Sequence, residues 1–258
     1  MHHASRLKFE CFVDAYIGKS GDLASKSVLD VGSRQVDDTA YSYRHALDPM
    51  GIRYTGLDLE AGFNVDIVPA NAFVWDELAG ESFDFVISGQ AFEHNPFMWI
   101  TMAEIARVLK PGGIAFIIAP SAGGVHRFPF DCWRYYPDSW AALAAVTQLQ
   151  LVESIREPGR IAKTIKGGQW MDAAGIFMKP EHPPGTARDD FYANLALIVA
   201  PFKARRFDVT PAVVNEGPCF KRYMEAVDVP VAAEKMRGPQ RRLTPAQRAA
   251  RAKAKAAR

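Results

Sequence analysis

The sequence predicts an open, doubly wound α/β sheet, and three observations predict it. Short runs of apolar and β-branched residues, Val28-Leu-Asp-Val31, Tyr54-Thr-Gly-Leu57 and Phe83-Asp-Phe-Val-Ile87, read as buried strands. The 26 residues that separate Gly32 from Asp58 leave room for the helical crossover that parallel strands need. A third run, Glu104-Ile-Ala-Arg-Val-Leu-Lys-Pro-Gly-Gly113, is a helix with apolar Ile105, Val108 and Leu109 on one face, stopped by proline and turned by glycine into another strand. In such a sheet, ligands bind beyond the carboxyl ends of the strands. Two of those ends carry acids, Asp30 and Asp58. Gly32 permits close backbone approach, and an acid at the second tip can accept hydrogen bonds from two ribose hydroxyls, so a nucleoside pocket is expected. Asp30 also reads as a simple turn residue.

The elements follow in order. Residues 6–16 form an opening helix that ends near Gly18 and Gly21. After strand one, residues 37–50 supply the first crossover helix and loop, and residues 52–57 strand two. Residues 64–68 read as a short third strand, 75–78 as a helical turn and 83–87 as strand four. The helix at 96–109 leads into strand five at 114–119. Residues 137–145 begin with a proline suited to the first helical turn, and 149–155 return as strand six. Residues 157–190 are rich in Gly and Pro without a sustained period, long for a connection inside a domain; such loops are usually functional or disordered. Residues 191–199 are apolar again.

The chain has 258 residues, 48% hydrophobic and 23% charged, enough to bury a sizeable core and too apolar for a disordered chain. No run of about 18 apolar residues spans a membrane, and the opening Met1-His-His-Ala-Ser-Arg6 lacks the layout of a signal peptide. Three widely spaced cysteines, Cys11, Cys132 and Cys219, make no CxxC pair, so a reducing cytoplasm is the expected compartment. The net charge of +2 conceals an asymmetry: residues 235–258 hold nine Lys or Arg and no acid, leaving 22 basic against 29 acidic residues elsewhere. Within that basic, Ala-rich tail (231–258), Thr244, Pro245 and Gln247 form a helix-start signal without an apolar stripe. It reads as a solvated helix or as an electrostatic contact for nucleic acid or an acidic partner.

Taken together, these segments resemble the class I S-adenosylmethionine-dependent methyltransferases, in a type 11-like branch, over residues 25–157. Residues 28–32 match that family's first motif, Asp58 its ribose-binding acid, 83–88 its fourth strand, and 108–113 the helix and turn before its fifth. The resemblance implies a Rossmann-like, seven-stranded, mostly parallel sheet with an antiparallel last strand, which we assign to residues 191–199 beside strand six. The methyltransferase domain is then 1–230, and the insertion at 157–190 is placed to cover the pocket as a lid. A narrower likeness lies in Ser42-Tyr-Arg44, Asn64-Val-Asp66, Phe92-Glu-His94 and the stretch from His126 to Pro137, which looks like a bacterial branch linked to glycan or other secondary biosynthesis.

For the cofactor S-adenosyl-L-methionine, the resemblance implies that Asp30 orders the first loop and meets the methionine amino group. Gly32 and Ser33 then line that loop, Asp58 takes the ribose, and Leu59 flanks the adenine. Ser33-Arg34-Gln35 departs from the usual glycine-rich continuation, so an altered loop geometry is expected; it also lacks the phosphate cradle of a nicotinamide dehydrogenase. Asn71 stands where the family often places an acid near the adenine amino group, or is a turn residue. Ser88 and Gln90 lie at the tip of strand four.

Acceptor chemistry is sought at the same edge. His126 is the first candidate base and His94 the second, because a neutral imidazole can take a hydroxyl proton near pH 7; either is equally able to bond a carboxylate or a loop carbonyl. Asp131 orients a histidine or binds a hydroxyl, Arg134 holds an anion or pairs with Asp131, and Glu93, Trp133 and Tyr135 complete the expected acceptor set. Trp133 and Tyr135 also suit ordinary core packing. No ligand spacing in Glu93, His94, His126 and Asp131 demands a metal, and none is expected. His94-Asn-Pro-Phe97 superficially resembles an N-methyltransferase motif, but Asn95 comes seven residues after Ser88, out of register for that chemistry. The expected activity is O-methylation of a small-molecule or glycan hydroxyl, the alternatives being a nucleic-acid methyltransferase using the basic tail and a non-catalytic cofactor-binding scaffold.

Overall fold

The structure, a computed structural model, describes residues 3–35, 41–181 and 185–205 and isolated positions from 207 to 224. The chain divides into two units, Met1–Val209 and Thr210–Arg258. The sheet and its helices belong to the first unit. In the second, the described residues 218–219, 221–222 and 224 are helical, and the helix signal at 244–247 with the rest of the basic tail lies outside the described residues.

Six strands form one sheet: β1 (Ser27–Val31), β2 (Arg53–Leu57), β3 (Phe83–Gly89), β4 (Leu109–Ala119), β5 (Gln150–Arg156) and β6 (Ala173–Met178). Their order is β2-β1-β3-β4-β6-β5. The first four run parallel, and β6 lies antiparallel to both β4 and β5. Alternation along the strands separates two cores. Val28, Phe85, Ile87, Phe116 and Ile118 face one side, with Phe9 and Phe12 of α1 (His3–Phe12) and Tyr43 and Leu47 of α2 (Tyr43–Leu47). Leu29, Val86, Ala115 and Ile117 face the other. There they meet α3 (Met98–Val108), α4 (Pro137–Thr147) and α6 (Thr186–Ala204) through Ile105, Val108, Trp140, Leu143, Phe191 and Leu195. A short α5 (Gly159–Ala162) completes the helices described. The doubly wound expectation is met.

Local chemistry accounts for the helix ends. Ser42 and His45 form a reciprocal cap at the start of α2, Pro137 opens α4, and Gln148 closes it in the left-handed conformation. The first crossover therefore contains a helix of only five residues, and positions 36–40 lie outside the described residues.

Two expectations are corrected. The sheet has six strands, not seven, because residues 64–68 contribute one parallel bridge, Leu57 to Ile67. Asn64 turns with φ 67°, and Pro69 has no N–H with which to continue a ladder beyond Val68. The antiparallel strand is Ala173–Met178, whereas residues 191–199 lie within α6. Phe191, Leu195, Val199 and Phe202 are the buried positions of α6, recurring at helical spacing. Ala173-Ala-Gly-Ile-Phe is buried throughout, so it shows no alternation to announce a strand.

Candidate active site

The carboxyl ends of β1, β2 and β3 form the first half of the site. Gly32, just past β1, has φ 80° and donates its N–H to the Leu57 carbonyl at 2.9 Å. A Cβ there would stand 2.5 Å from Ala91 Cβ, so only glycine fits both the conformation and the space. Asp58 accepts from the backbone N–H groups of Arg34 (3.0 Å) and Leu59 (2.7 Å), which ties the first loop to the β2 tip. Oδ1 also accepts the Glu60 N–H at 3.4 Å, so Oδ2 is the oxygen that keeps a lone pair for a further donor. Arg34 pairs with Glu60 at 2.8 Å, and Asn64 donates to Gln35 at 2.6 Å. Side-chain contacts thus hold the glycine-poor loop in place, and Ser33 is buried within it.

Asp30 is buried and accepts the hydroxyl of Tyr54, while its Oδ1 has no hydrogen-bond partner. Burial pushes its pKa up to about 7, against the pull of the Tyr54 hydrogen bond. Arg44 lies over the Tyr54 ring and pairs with Asp66, whose carboxylate also accepts the Gly56 N–H at 2.7 Å. The segments 42–44 and 64–66, which the narrower likeness singled out, therefore meet beside Tyr54 and Gly56 of β2. Leu59 is exposed at the β2 tip. Ser88 is buried and donates to the Val31 carbonyl at 2.8 Å. Gln90, with φ 59°, stands 3.4 Å from the Ser5 hydroxyl of α1 and hydrogen-bonds to Asp172. Burial holds that Asp172 carboxyl up at about 6, against the pull of nearby Lys8 and the Gln90 bond. Asn71 is committed elsewhere: its carbonyl accepts the Phe73 N–H and its amide donates to the Phe202 carbonyl. It serves as a turn residue rather than an open acceptor.

The second half joins the turn Phe92–His94, after β3, to the loop after β4. The Glu93 carbonyl accepts the Cys132 N–H (2.7 Å), Trp133 donates its indole N–H to the Asn95 carbonyl (2.9 Å), and His94 donates Nδ1–H to the Phe130 carbonyl (2.6 Å). These bonds bring Glu93, His94 and His126 together, with His94 Nε2 3.6 Å and His126 Nε2 3.9 Å from Glu93 Oε1. Glu93 is fully buried, and neither carboxylate oxygen has a hydrogen-bond partner. Burial pushes it up to about 8. Burial also lowers His94, so that its imidazole is neutral near pH 7.

Asp131 lies 3.4 Å from His126 Nδ1, accepts the His126 backbone N–H and binds Arg134 through both oxygens. Although burial alone would raise Asp131, the Arg134 hydrogen bonds bring it down to about 2. Trp133 packs beside Trp99. Tyr135, expected at the acceptor, is instead a core residue: it is 1% exposed, stacks on Trp140 and donates to the Phe92 carbonyl. Burial left no face of its ring for an acceptor. Sequence reasoning missed Tyr54, Asp172 and Trp170. The Trp170 ring lies 4.4 Å from His126, and its carbonyl accepts the N–H groups of Ser121 and Ala122. The signals were faint: a tyrosine inside a strand, and an Asp and a Trp inside the 157–190 segment.

Residues 29–117 match the family model described as a methyltransferase domain. With the sheet order and the acids at its tips, that match identifies a methyltransferase domain in this segment, about a third of the chain. Among solved structures, the chain is similar to the [4+2]-cyclase SpnF (16% identity over 69% of this chain and 82% of that one, TM-score 0.51). It is also similar to the CurJ carbon methyltransferase (12%, 67% and 54%, TM-score 0.50). A third similar structure is a 1,6-didemethyltoxoflavin-N1-methyltransferase from Burkholderia thailandensis, with bound 1,6-didemethyltoxoflavin and S-adenosylhomocysteine (16%, 69% and 89%, TM-score 0.48). At these identities the likeness is one of fold. A search of curated proteins gave no match. Among the described residues, no helix is long and apolar enough to cross a membrane.

Proposed function

We propose that this methyltransferase acts on a hydroxyl oxygen of a small-molecule or glycan acceptor. The observation that carries the reading is the cluster of Glu93, His94 and His126, oriented by Asp131 and built on the same sheet edge as Gly32 and Asp58. The residues suit the cofactor: Asp30 keeps an unpartnered buried oxygen, Gly32 leaves backbone open to close approach, and Asp58 has acceptor capacity to spare. S-adenosylmethionine supplies, when bound, an already activated methyl group. The chain's own task is to align a nucleophile and exclude water, which contributes more than proton removal does. In this reading His126 takes the hydroxyl proton, with Asp131 beside Nδ1 stabilising the resulting charge, and His94 is the second base. Trp133 and Arg134 border the acceptor, and the segment 157–172 that precedes β6 helps to cover it through Trp170.

The test is a panel of hydroxylated acceptors with mass detection of the methylated product. His126→Ala is expected to lower turnover by roughly 10²-fold or more while cofactor affinity stays unchanged; retained turnover removes His126 as the base.

A nucleic-acid acceptor is the second reading, favoured by the charge of residues 235–258. It requires affinity that falls steeply with salt and drops on deletion of that tail.

A further inference from the structure

Among the described residues, the Glu93 carboxylate combines full burial with two unpartnered oxygens. Two imidazole nitrogens face one of those oxygens. A buried carboxylate left in this state is costly unless something else is bound to it. The neighbouring histidines are arranged as ligands. A carbonyl oxygen only accepts, so the 2.6 Å contact with Phe130 fixes the His94 proton on Nδ1 and leaves the Nε2 lone pair aimed toward Glu93. Asp131 stands beside His126 Nδ1 and leaves His126 Nε2 facing the same oxygen. One donor atom from each of Glu93, His94 and His126 lies within 4.8 Å of the other two. With bonds of about 2.0–2.2 Å, donors around one ion stand roughly 3–3.5 Å apart, so the two histidine–glutamate distances of 3.6 and 3.9 Å need to close by only a few tenths of an ångström, whereas the widest donor pair closes by up to about 1–2 Å through rotation of the side chains. Arg134 is near enough to oppose a cation, but its charge is matched by two hydrogen bonds to Asp131.

We propose that Glu93, His94 and His126 bind one divalent first-row transition-metal ion, with its remaining positions open to an acceptor oxygen. Two imidazoles and one carboxylate favour such an ion over magnesium or calcium, which prefer all-oxygen shells. The inference rests on the reading of this cluster as the acceptor site and deepens it. With the ion in place His126 is a ligand rather than a base, and the ion lowers the pKa of the bound hydroxyl, which releases its proton to solvent. The Phe130 carbonyl is a positioning group that holds His94 in the ligating tautomer, and Asp131, which shares His126 Nδ1 with Arg134 at 3.4 Å each, is a positioning group for the orientation of that ring.

The experiment uses the full chain, stripped with chelator and titrated with Co²⁺ by calorimetry and by visible absorption. One ion per chain is expected, with the d–d bands of a nitrogen–oxygen site. Glu93→Gln, which keeps the buried shape, is expected to weaken Co²⁺ binding at least tenfold, and so is His126→Ala on the more exposed side. Asp131→Asn is expected to cost about 10- to 100-fold. S-adenosylhomocysteine affinity, measured in parallel, is expected to stay unchanged and shows that each variant is folded. No binding by the wild-type chain, or equal binding by the folded Glu93→Gln variant, overturns the proposal. Methylation that persists in chelator also overturns it while leaving the acceptor reading intact. Ion binding without any methylated hydroxyl supports the metal site and removes the acceptor reading instead.

Discussion

Tyr54 reaches across from β2 and donates its hydroxyl to the buried carboxylate of Asp30 on β1. The strands are paired so that Asp30 lies opposite Gly56, which leaves the space beside it to the tyrosine two residues back. Burial pushes Asp30 up to about 7, while the unfolded chain ionises it near 3.8. Between those values the native state holds a proton that the unfolded state has lost, so stability falls as pH rises through this window and levels off above it. Melting temperatures from pH 4 to 8 check this. Asp30→Asn is expected to flatten the slope.

Asp58 accepts from Arg34 and Leu59, so the residue organises the loop as well as offering a lone pair to a ribose. Asp58→Ala is expected to weaken S-adenosylmethionine binding by about 1–3 kcal/mol, measured by calorimetry. A loss confined to melting temperature, with affinity unchanged, would assign the carboxylate to the loop alone.

The carboxyl-edge acids and histidines could be read from the sequence because strands β1 to β4 are apolar runs with sharp punctuation, and whatever follows such a run lies at the ligand edge. The order of the last elements could not. Within Ala173–Met178, Ala173 to Phe177 are buried without a break, so no alternation marks it as a strand, and α6 has Phe and Val at positions that suit either structure. Asn71 and Tyr135 show the same limit within the site. Their side chains are chemically suited to the expected roles, yet a turn and a stacked Trp140 occupy them. Trp170 and Asp172 come to the site only because β6 folds back between β4 and β5, which no local pattern reveals.

Gly32 combines a left-handed backbone with a 2.5 Å approach to Ala91. Gly32→Ala is expected to destabilise by about 1–2 kcal/mol through backbone conformation and by a further ~1–3 kcal/mol through overlap. Adding Ala91→Gly should restore only the second part. Denaturant unfolding of the two single variants and the double variant separates the contributions.

Trp170 packs its ring against His126 without a hydrogen bond to it among those described. Trp170→Ala is expected to reduce kcat roughly 10- to 100-fold by misplacing the imidazole, with cofactor affinity retained and Trp170→Phe near wild type. A change only in melting temperature would make the ring a packing element.

The insertion of β6 between β4 and β5 also dictates an order of assembly. During synthesis residues 150–156 leave the ribosome before 173–178, yet β5 pairs only with β6 among the described strands. Until the later segment emerges and docks, the nascent β4 shows a bare row of amide and carbonyl groups to solvent or to a chaperone, and the strand made earlier must wait for the one made later.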